Sequence, residues 1–205
     1  MSKVGRFISF EGGEGAGKTT LIQSVASYLN EQGHEVIYTR EPGGTQAAEQ
    51  IRELLVTGDK DRWDAISETA LFLVARRTHV EELIKPALDQ GKIVLCDRFL
   101  DSTLVYQGIA KGLGIEYVSK LNALIVKNIL PELTFLLDID PSEGLKRVSG
   151  RTSNEDRFEA HGLAFHKQIR EGFLELAKQS PERIKMIDAS QSAEQVFEEV
   201  KRYLK

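Results

Sequence analysis

Residues 12–19 read Gly-Gly-Glu-Gly-Ala-Gly-Lys-Thr, the pattern G-x-x-x-x-G-K-[ST]. The apolar run Phe7-Ile8-Ser9-Phe10 precedes them, and Leu21, Ile22, Val25, Ala26 and Leu29 follow at the spacing of one helical face. Few sequence features restrict a fold so strongly, because strand, glycine loop and helix in that order begin a crossover unit. Glycines let successive backbone N–H groups curl around an anion at the helix N-terminus. Lys18 would add positive charge at the β- and γ-phosphates of a nucleotide, and Thr19 a hydroxyl for Mg2+. The competing reading is a glycine-rich turn that binds nothing, although every required position is filled in the right context.

The rest of the chain repeats the alternation. Gly33 ends the first helix, Val36-Ile37-Tyr38 predicts a second strand, and Pro42-Gly43-Gly44 breaks the chain before a helix through Ile51, Leu54 and Leu55. Helical patterning over about 65–88 stops at Gly91, and Ile93-Val94-Leu95-Cys96 is a continuous apolar strand of the kind buried on both faces. Leu133 to Leu137 and Ile184 to Ile187 supply two more strands, with a helix through Phe165, Ile169 and Phe173 between them and a last helix over 193–204. Five strands alternating with helices predict an α/β chain of the P-loop NTPase type, a five-stranded parallel sheet with helices on both faces. A length of 205 residues, 41% of them hydrophobic, fits one domain over 1–205. The arginine-bearing stretch at about 147–158, polar from Ser149 to Asp156, is expected to be a short lid or else a plain solvated loop.

Charge and cysteine content narrow the function classes. A formal net charge of −4 argues against nucleic acid as a partner, since such binding draws on many Lys and Arg contacts to phosphate. The single Cys96 cannot form an internal disulfide, and His161 and His166 lack zinc-ligand spacing, so a reducing cytoplasm is expected. Met1 to Phe10 has no long apolar region or cleavage site, and nothing approaches a membrane span of roughly 20 apolar residues.

Several residues outside the glycine loop carry chemistry. Asp97 and Arg98 close a buried strand at its carboxyl end, where ligands sit in open parallel sheets. Asp97 would act near magnesium or orient the partners of an acceptor phosphate, and Arg98 can grip a phosphate with two parallel hydrogen bonds; the bland alternative is an Asp97–Arg98 salt bridge that merely closes the strand. Arg40 follows the second strand before the Pro-Gly-Gly turn. Phe72 and Arg76, four apart in a helix, share a face on which a ring and a guanidinium can meet one base, though such a Phe alone is more often core. Arg147 and Arg151 are also four apart and can point at one anion. Glu14 is an unusual acid among phosphates: it either meets a sugar hydroxyl or points to solvent.

Taken in order, Phe10-Glu11-Gly12 with the loop, Thr39-Arg40-Glu41-Pro42-Gly43-Gly44-Thr45, Asp97-Arg98-Phe99, Ser102 and Tyr106-Gln107 resemble the motif set of thymidylate kinases. The likeness runs from about Phe7 to Asp156-Arg157-Phe158-Glu159. It implies an ATP:dTMP phosphotransferase that yields dTDP and ADP in dTTP synthesis, with Mg2+, a homodimer and a lid. Gly12, Gly13, Glu14, Gly15, Ala16, Gly17, Lys18 and Thr19 would then bind ATP together with Arg147, and Thr19 would meet the metal. Arg40 and Arg98 resemble the pair that grips the acceptor phosphate, and Glu14 the carboxylate that receives the deoxyribose 3′-hydroxyl. Phe72 would stack on thymine, Arg76 would bond its carbonyl edge, and Tyr106 with Gln107 would close the sugar and base side. Ser102 and Thr103 would face the same pocket or merely cap the helix after them.

Glu14, Gly15 and Ala16 bring no cation into the loop, so the resemblance is to the bacterial subtype in which the lid carries the arginine. Arg151 is expected first in that role, with Arg147 and Arg157 behind it, making Lys18, Arg98, Asp97 and Arg151 the expected catalytic set. Two positions depart from the family's pattern. Ala75 stands where many members have Asp, and Val105 where Ala is common, which bears on the choice between deoxy and ribo acceptors. The rival readings are a kinase for another nucleoside monophosphate and a P-loop nucleotide-binding regulator without an acceptor. The guanine motif Asn-Lys-x-Asp is absent from the sequence.

Overall fold

A computed structural model describes residues 5–149 and 157–204. Along the chain the strands are β1 (Arg6–Gly12), β2 (Val36–Arg40), β3 (Ile93–Asp97), β4 (Leu133–Asp138) and β5 (Ile184–Asp188). Between and after them lie α1 (Lys18–Glu31), α2 (Gln46–Val56), α3 (Ala65–His79), α4 (Lys85–Asp89), α5 (Leu100–Thr103), α6 (Ile115–Val126), α7 (Pro141–Val148), α8 (Leu163–Gln179) and α9 (Ala193–Lys201). The five strands form one sheet in the order β2-β3-β1-β4-β5. Every ladder is parallel, as the alternation of strand and helix predicts.

The strand residues divide by parity between two covered faces. Ile8, Phe10, Ile93, Leu95, Leu133, Phe135 and Leu137 pack on one side with Leu21, Ile22 and Val25 of α1 and Val196 and Val200 of α9. On the other side, Phe7, Val94 and Cys96 meet Val80, Ile84 and Phe99, while Leu136 and Ile184 meet Ile169 and Phe173 of α8. That second face also carries a polar seam. Ser9 and Thr134 share a hydrogen bond of 2.7 Å across β1 and β4, and Arg183 donates to Thr134 and to both oxygens of Asp101.

Helix ends follow local rules. Asp64 caps α3 by accepting from Ile66 and Ser67, Asp140 caps α7, and Ser192 with Gln195 forms a reciprocal capping box on α9. The helix expected over 65–88 runs without interruption from Ala65 to Asp89, although its coil is not uniform. At Val80–Ile84 the coil widens to π-helical, and the Lys85 N–H bonds Val80 O just before Pro86, which has no N–H to give. The last helix ends at Lys201, short of the expected 204, yet Leu204 stays buried against the same face. A second π-helical stretch, Leu104–Ala110, presents Tyr106 and Gln107. Among the described residues, no helix is long and apolar enough to cross a membrane.

Candidate active site

The carboxyl ends of β1, β2 and β3 converge, because the parallel registers set Phe10 beside Asp97 and Arg40 beside Asp97. The glycine loop leaves β1 there and enters α1 through Gly17, at φ 89°, a region glycine adopts without the Cβ clash other residues meet. Behind the loop, a Cβ on Gly15 would lie 2.0 Å from Gly144 O, and one on Gly144 would lie 2.2 Å from Glu14 O. Loop and α7 therefore touch backbone to backbone.

Charged groups crowd this point. Lys18 Nζ donates to Gly12 O at 3.3 Å and Gly13 O at 3.1 Å. Thr19 Oγ1 donates to Asp97 Oδ2 at 3.3 Å. Arg98 sits at φ 64°, a left-handed backbone that costs a non-glycine residue roughly 1 kcal/mol or more. Its guanidinium reaches Gly12 O at 2.9 Å, Ser102 Oγ at 3.3 Å and Glu14 Oε1 at 2.8 Å. Arg98 thus pairs with Glu14 of the loop, and the simple Asp97–Arg98 closure is not what forms.

The Tyr106 hydroxyl donates to the same Glu14 oxygen at 3.1 Å. Burial opposes ionisation of Glu14, but Arg98 first and then Lys18 and Tyr106 outweigh it and hold its carboxyl below the ordinary value. Burial and then Glu14 keep the Tyr106 phenol protonated, against the pull of Arg98. Desolvation and the neighbouring Arg98 lower Lys18, opposed by Asp97, Glu14 and Glu11. Beneath the loop, Glu11 accepts from Phe99 N at 2.8 Å and meets Ser102 Oγ at 2.5 Å. Burial, followed by the Asp101 carboxylate, pushes Glu11 up to about 8, in spite of the Ser102 hydroxyl, Arg98 and the Phe99 N–H.

A cavity of ≈590 Å³ runs from the glycine loop past Arg40 and Arg98 to Phe72, Arg76, Ser102, Thr103, Tyr106, Gln107, Phe158 and Glu159. The loop residues Glu14 to Thr19 and the expected acceptor-side residues therefore share one space. Arg40 donates to Glu49 at 3.1 Å, and Glu49 also accepts from Gly44 N, so one carboxylate ties the end of β2 to its turn. Phe72 is half-buried, with its ring 6.2 Å from that of Phe158, which stands edge-on to Tyr106 at 5.7 Å. Ser102 and Thr103 end α5, and Thr103, at the N-cap of the helical stretch Leu104–Ala110, makes no side-chain capping bond to it; Ser102 instead meets Arg98 and Glu11, and Thr103 accepts from Arg76.

Two arginines are more deeply engaged than their spacing suggests. Arg76 is buried, and donates to Glu41 at 2.7 Å, Asn122 at 2.5 Å and Thr103 at 2.9 Å, above the Phe99 ring. Glu41 in turn bonds His79, which bonds Thr39. Arg157, ranked behind Arg151 as a lid cation, is not a solvated lid charge. It is buried against Glu68 at 2.6 Å and donates to the carbonyls of Leu55, Asp59 and Lys60. Gln107 and Lys111 converge on the same Glu68, each at 2.8 Å.

Arg147 donates to Ala189 O at 3.1 Å after β5. Arg151, with 150–156 of the expected lid, lies outside the described residues. Glu41, His79, Asn122 and Glu68 escaped sequence reasoning as participants; a Glu41 beside the Pro-Gly-Gly turn was the one signal available. Among the described residues, no group of three His, Cys, Asp or Glu side chains is placed to hold a metal.

Comparison with known proteins places this arrangement. The family model described as thymidylate kinase matches residues 10–200. The thymidylate kinase of Clostridium novyi is 46% identical over 202 residues, covering 98% of each chain. That of Anoxybacillus flavithermus is 49% identical over 195 residues, covering 95% of this chain and 93% of that one. The crystal structure of thymidylate kinase from Ehrlichia chaffeensis superposes with a TM-score of 0.81 at 36% identity, over 98% of this chain and 99% of that one.

Proposed function

We propose how this chain works from one premise: it belongs to the thymidylate kinase family and is an enzyme that phosphorylates dTMP to dTDP. The observation that carries the division of labour is the junction at Glu14. A carboxylate of the glycine loop, paired with Arg98 and Tyr106, lies in the cavity that the loop shares with Phe72, Arg76 and Gln107. The loop, Gly12 to Thr19, takes the phosphates of ATP, with Lys18 supplying the charge and Arg147 bordering the donor. Arg40 and Arg98 hold the acceptor phosphate in line with the γ-phosphorus, where several negative charges must be brought together. Glu14 meets the 3′-hydroxyl, Phe72 stacks on thymine, and Arg76, Ser102, Thr103, Tyr106 and Gln107 close the remaining sides.

The Thr19 hydroxyl beside the Asp97 carboxylate is a hard oxygen set suited to Mg2+, which binds through one or two carboxylates plus substrate phosphates and waters. Bound there, Mg2+ would supply charge neutralisation at the phosphate oxygens. Because the glycine loop holds no arginine, the cation for the transferring phosphoryl group comes from the lid, and Arg151 is that residue. This assigns the chain to the lid-arginine subtype. Arg157 is held in place against the Phe158 ring, since Glu68 and three carbonyls occupy most of its donors.

The chain works as one domain over 1–205, in the cytoplasm and as a homodimer; exposed Ile66 and Val74 on α3, beside Tyr117 and Leu124 on α6, support a partner surface there. The deciding assay couples ADP release to ATP turnover with Mg2+ across dTMP, dUMP, dCMP, UMP and AMP. A preference for dTMP is expected; equal turnover of dUMP would overturn the roles given to the base-side residues. Sedimentation equilibrium giving a monomer would overturn the dimer.

A further inference from the structure

Among the described residues, only Arg98 and Lys127 adopt a positive φ without being glycine. Such a backbone is uphill for a residue with a Cβ and persists only where its surroundings over-determine it. At Arg98 three contacts do so. Arg98 N donates to Phe10 O at 2.9 Å, which anchors the peptide before the residue, and Cys96 Sγ donates to Arg98 O at 3.0 Å. On the far side Phe99 N donates to Glu11 Oε1 at 2.8 Å, and because the peptide is planar the direction of that N–H sets ψ at Arg98. Helix α5 begins at Leu100 with no side-chain cap of its own, so the carboxyl that meets this N–H comes from β1 and not from the segment itself.

The same carboxyl reaches the other end of Arg98. Glu11 Oε2 and Ser102 Oγ share a hydrogen bond of 2.5 Å, and Ser102 Oγ accepts from Arg98 Nη1 at 3.3 Å. The guanidinium is also tied to Gly12 O and to Glu14, and lies 5.4 Å from the centre of the Tyr106 ring. Among the described residues these bonds engage Nη1 and one hydrogen of Nη2, which leaves Nε and the second Nη2 hydrogen for an anion. Glu11 itself is 1% exposed and is not among the residues that line the large cavity, so any effect it has on a ligand there passes through the residues it holds. It can accept from Phe99 N in either protonation state, because a neutral carboxyl keeps an acceptor oxygen.

We propose that Glu11 is the positioning residue for Arg98: one of its oxygens fixes the left-handed backbone and the other, through Ser102, the guanidinium, so that the arginine holds its remaining donors at the place of the acceptor phosphate. The carboxyl is kept at the end of β1 for its two acceptor directions, which no apolar side chain of that size supplies. The ligand side of this inference rests on the reading that Arg98 grips the dTMP phosphate; the hold of Glu11 on Arg98 does not.

The test uses the full chain and two ligands that differ only by the phosphate, dTMP and thymidine, each titrated by calorimetry. Glu11→Leu, close in size and without an acceptor, is expected to raise Kd for dTMP roughly ten- to thirtyfold while Kd for thymidine stays within about twofold. Glu11→Gln keeps an oxygen for Phe99 N and a polar group for the Ser102 hydroxyl, and is expected to stay within about threefold of wild type for both ligands. Equal weakening of both ligands, which a general loosening of the fold would give, unchanged dTMP binding, or a Gln variant as poor as Leu would overturn the proposal. Glu11→Asp, one methylene short of both partners, is expected to show the same selective loss and decides the matter if Glu11→Leu does not fold; wild-type dTMP affinity in it would overturn the proposal. In an Arg98→Met background, Glu11→Asp is expected to change the ratio of the two Kd values by less than about twofold, and a further selective loss there would show that Glu11 does not act through Arg98. If Arg98→Met leaves that ratio at its wild-type value, the phosphate role of Arg98 falls by itself, and a crystal structure of the Glu11→Asp protein judges the hold: an Arg98 still left-handed and bonded to Ser102 overturns it, and a displaced Arg98 upholds it.

Discussion

Glu68 and Arg157 meet at 2.6 Å with neither side chain exposed to solvent. Glu68 lies on α3, and Arg157 stands near the end of the stretch, about 147–158, expected to form the lid. The pair joins the base-side wall, through Gln107, to the chain that leads out of that stretch.

Arg157→Ala would leave a buried carboxylate short of a partner, and is expected to lower the unfolding free energy by roughly 3–5 kcal/mol in a urea titration. Arg151→Ala should behave in the opposite way. Its stability is expected to stay within about 0.5 kcal/mol of wild type while kcat falls and KM for dTMP changes little. If Arg151→Ala chiefly weakens dTMP binding, its role at the transferring phosphoryl group is wrong.

Glu41 holds Arg76 on one oxygen and His79 on the other, all three buried. Glu41→Gln should therefore be strongly destabilising, again by roughly 3–5 kcal/mol, because it strips charge from one side of a desolvated pair. The double variant Glu41→Gln with Arg76→Met is expected to be more stable than the sum of the single effects predicts. Strict additivity in denaturant titrations would show that the pair does not act as a unit.

Glu11 gives the fold a pH signature. Its carboxyl is raised to about 8 when folded and sits near 4.5 in an open chain, so the native state keeps a proton that the unfolded state releases. Stability from this group is complete below about 4.5 and is lost as pH rises toward about 8, by at most about 1.4 kcal/mol per pH unit. Glu11→Gln, an amide of the same shape, should flatten that slope. An identical slope in both proteins would refute the burial argument for this carboxyl.

Lys18→Ala should fold normally, since the ammonium's bonds go to two loop carbonyls and not to the core. Its turnover should fall on the order of 10²–10³-fold, the scale of losing one preorganised charge at the transition state. Circular dichroism and a single-turnover assay separate the two effects; near-normal turnover would remove Lys18 from the mechanism.

The five strands were legible because each is a short apolar run closed by turn residues, and the observed boundaries differ from the expected ones by at most two residues, at the end of β1 and the end of β2. The glycine loop was legible because its function is a backbone shape that only that spacing allows. The partners of Arg76 and Arg157 were not. Glu41 and Asn122 lie 35 and 46 positions from Arg76, and Leu55 lies 102 from Arg157. No local periodicity encodes such distances, so an arginine in a polar stretch reads as solvated even where folding buries it. The widening near Val80 was half visible: Pro86 was in plain view, but whether it would kink, end or widen the helix depends on what packs against it.

The contact between Gly15 and Gly144 sets a rule for anyone altering this protein. Side chains ordinarily act as cushions that let packed elements settle by small rotamer changes, and here there is no cushion on either side. Even one methyl group at either glycine meets main chain at 2.0–2.2 Å. A saturation library should therefore tolerate many residues at the exposed Glu143 and Lys146 and none but glycine at 144, a four-residue segment with two opposite mutational temperaments.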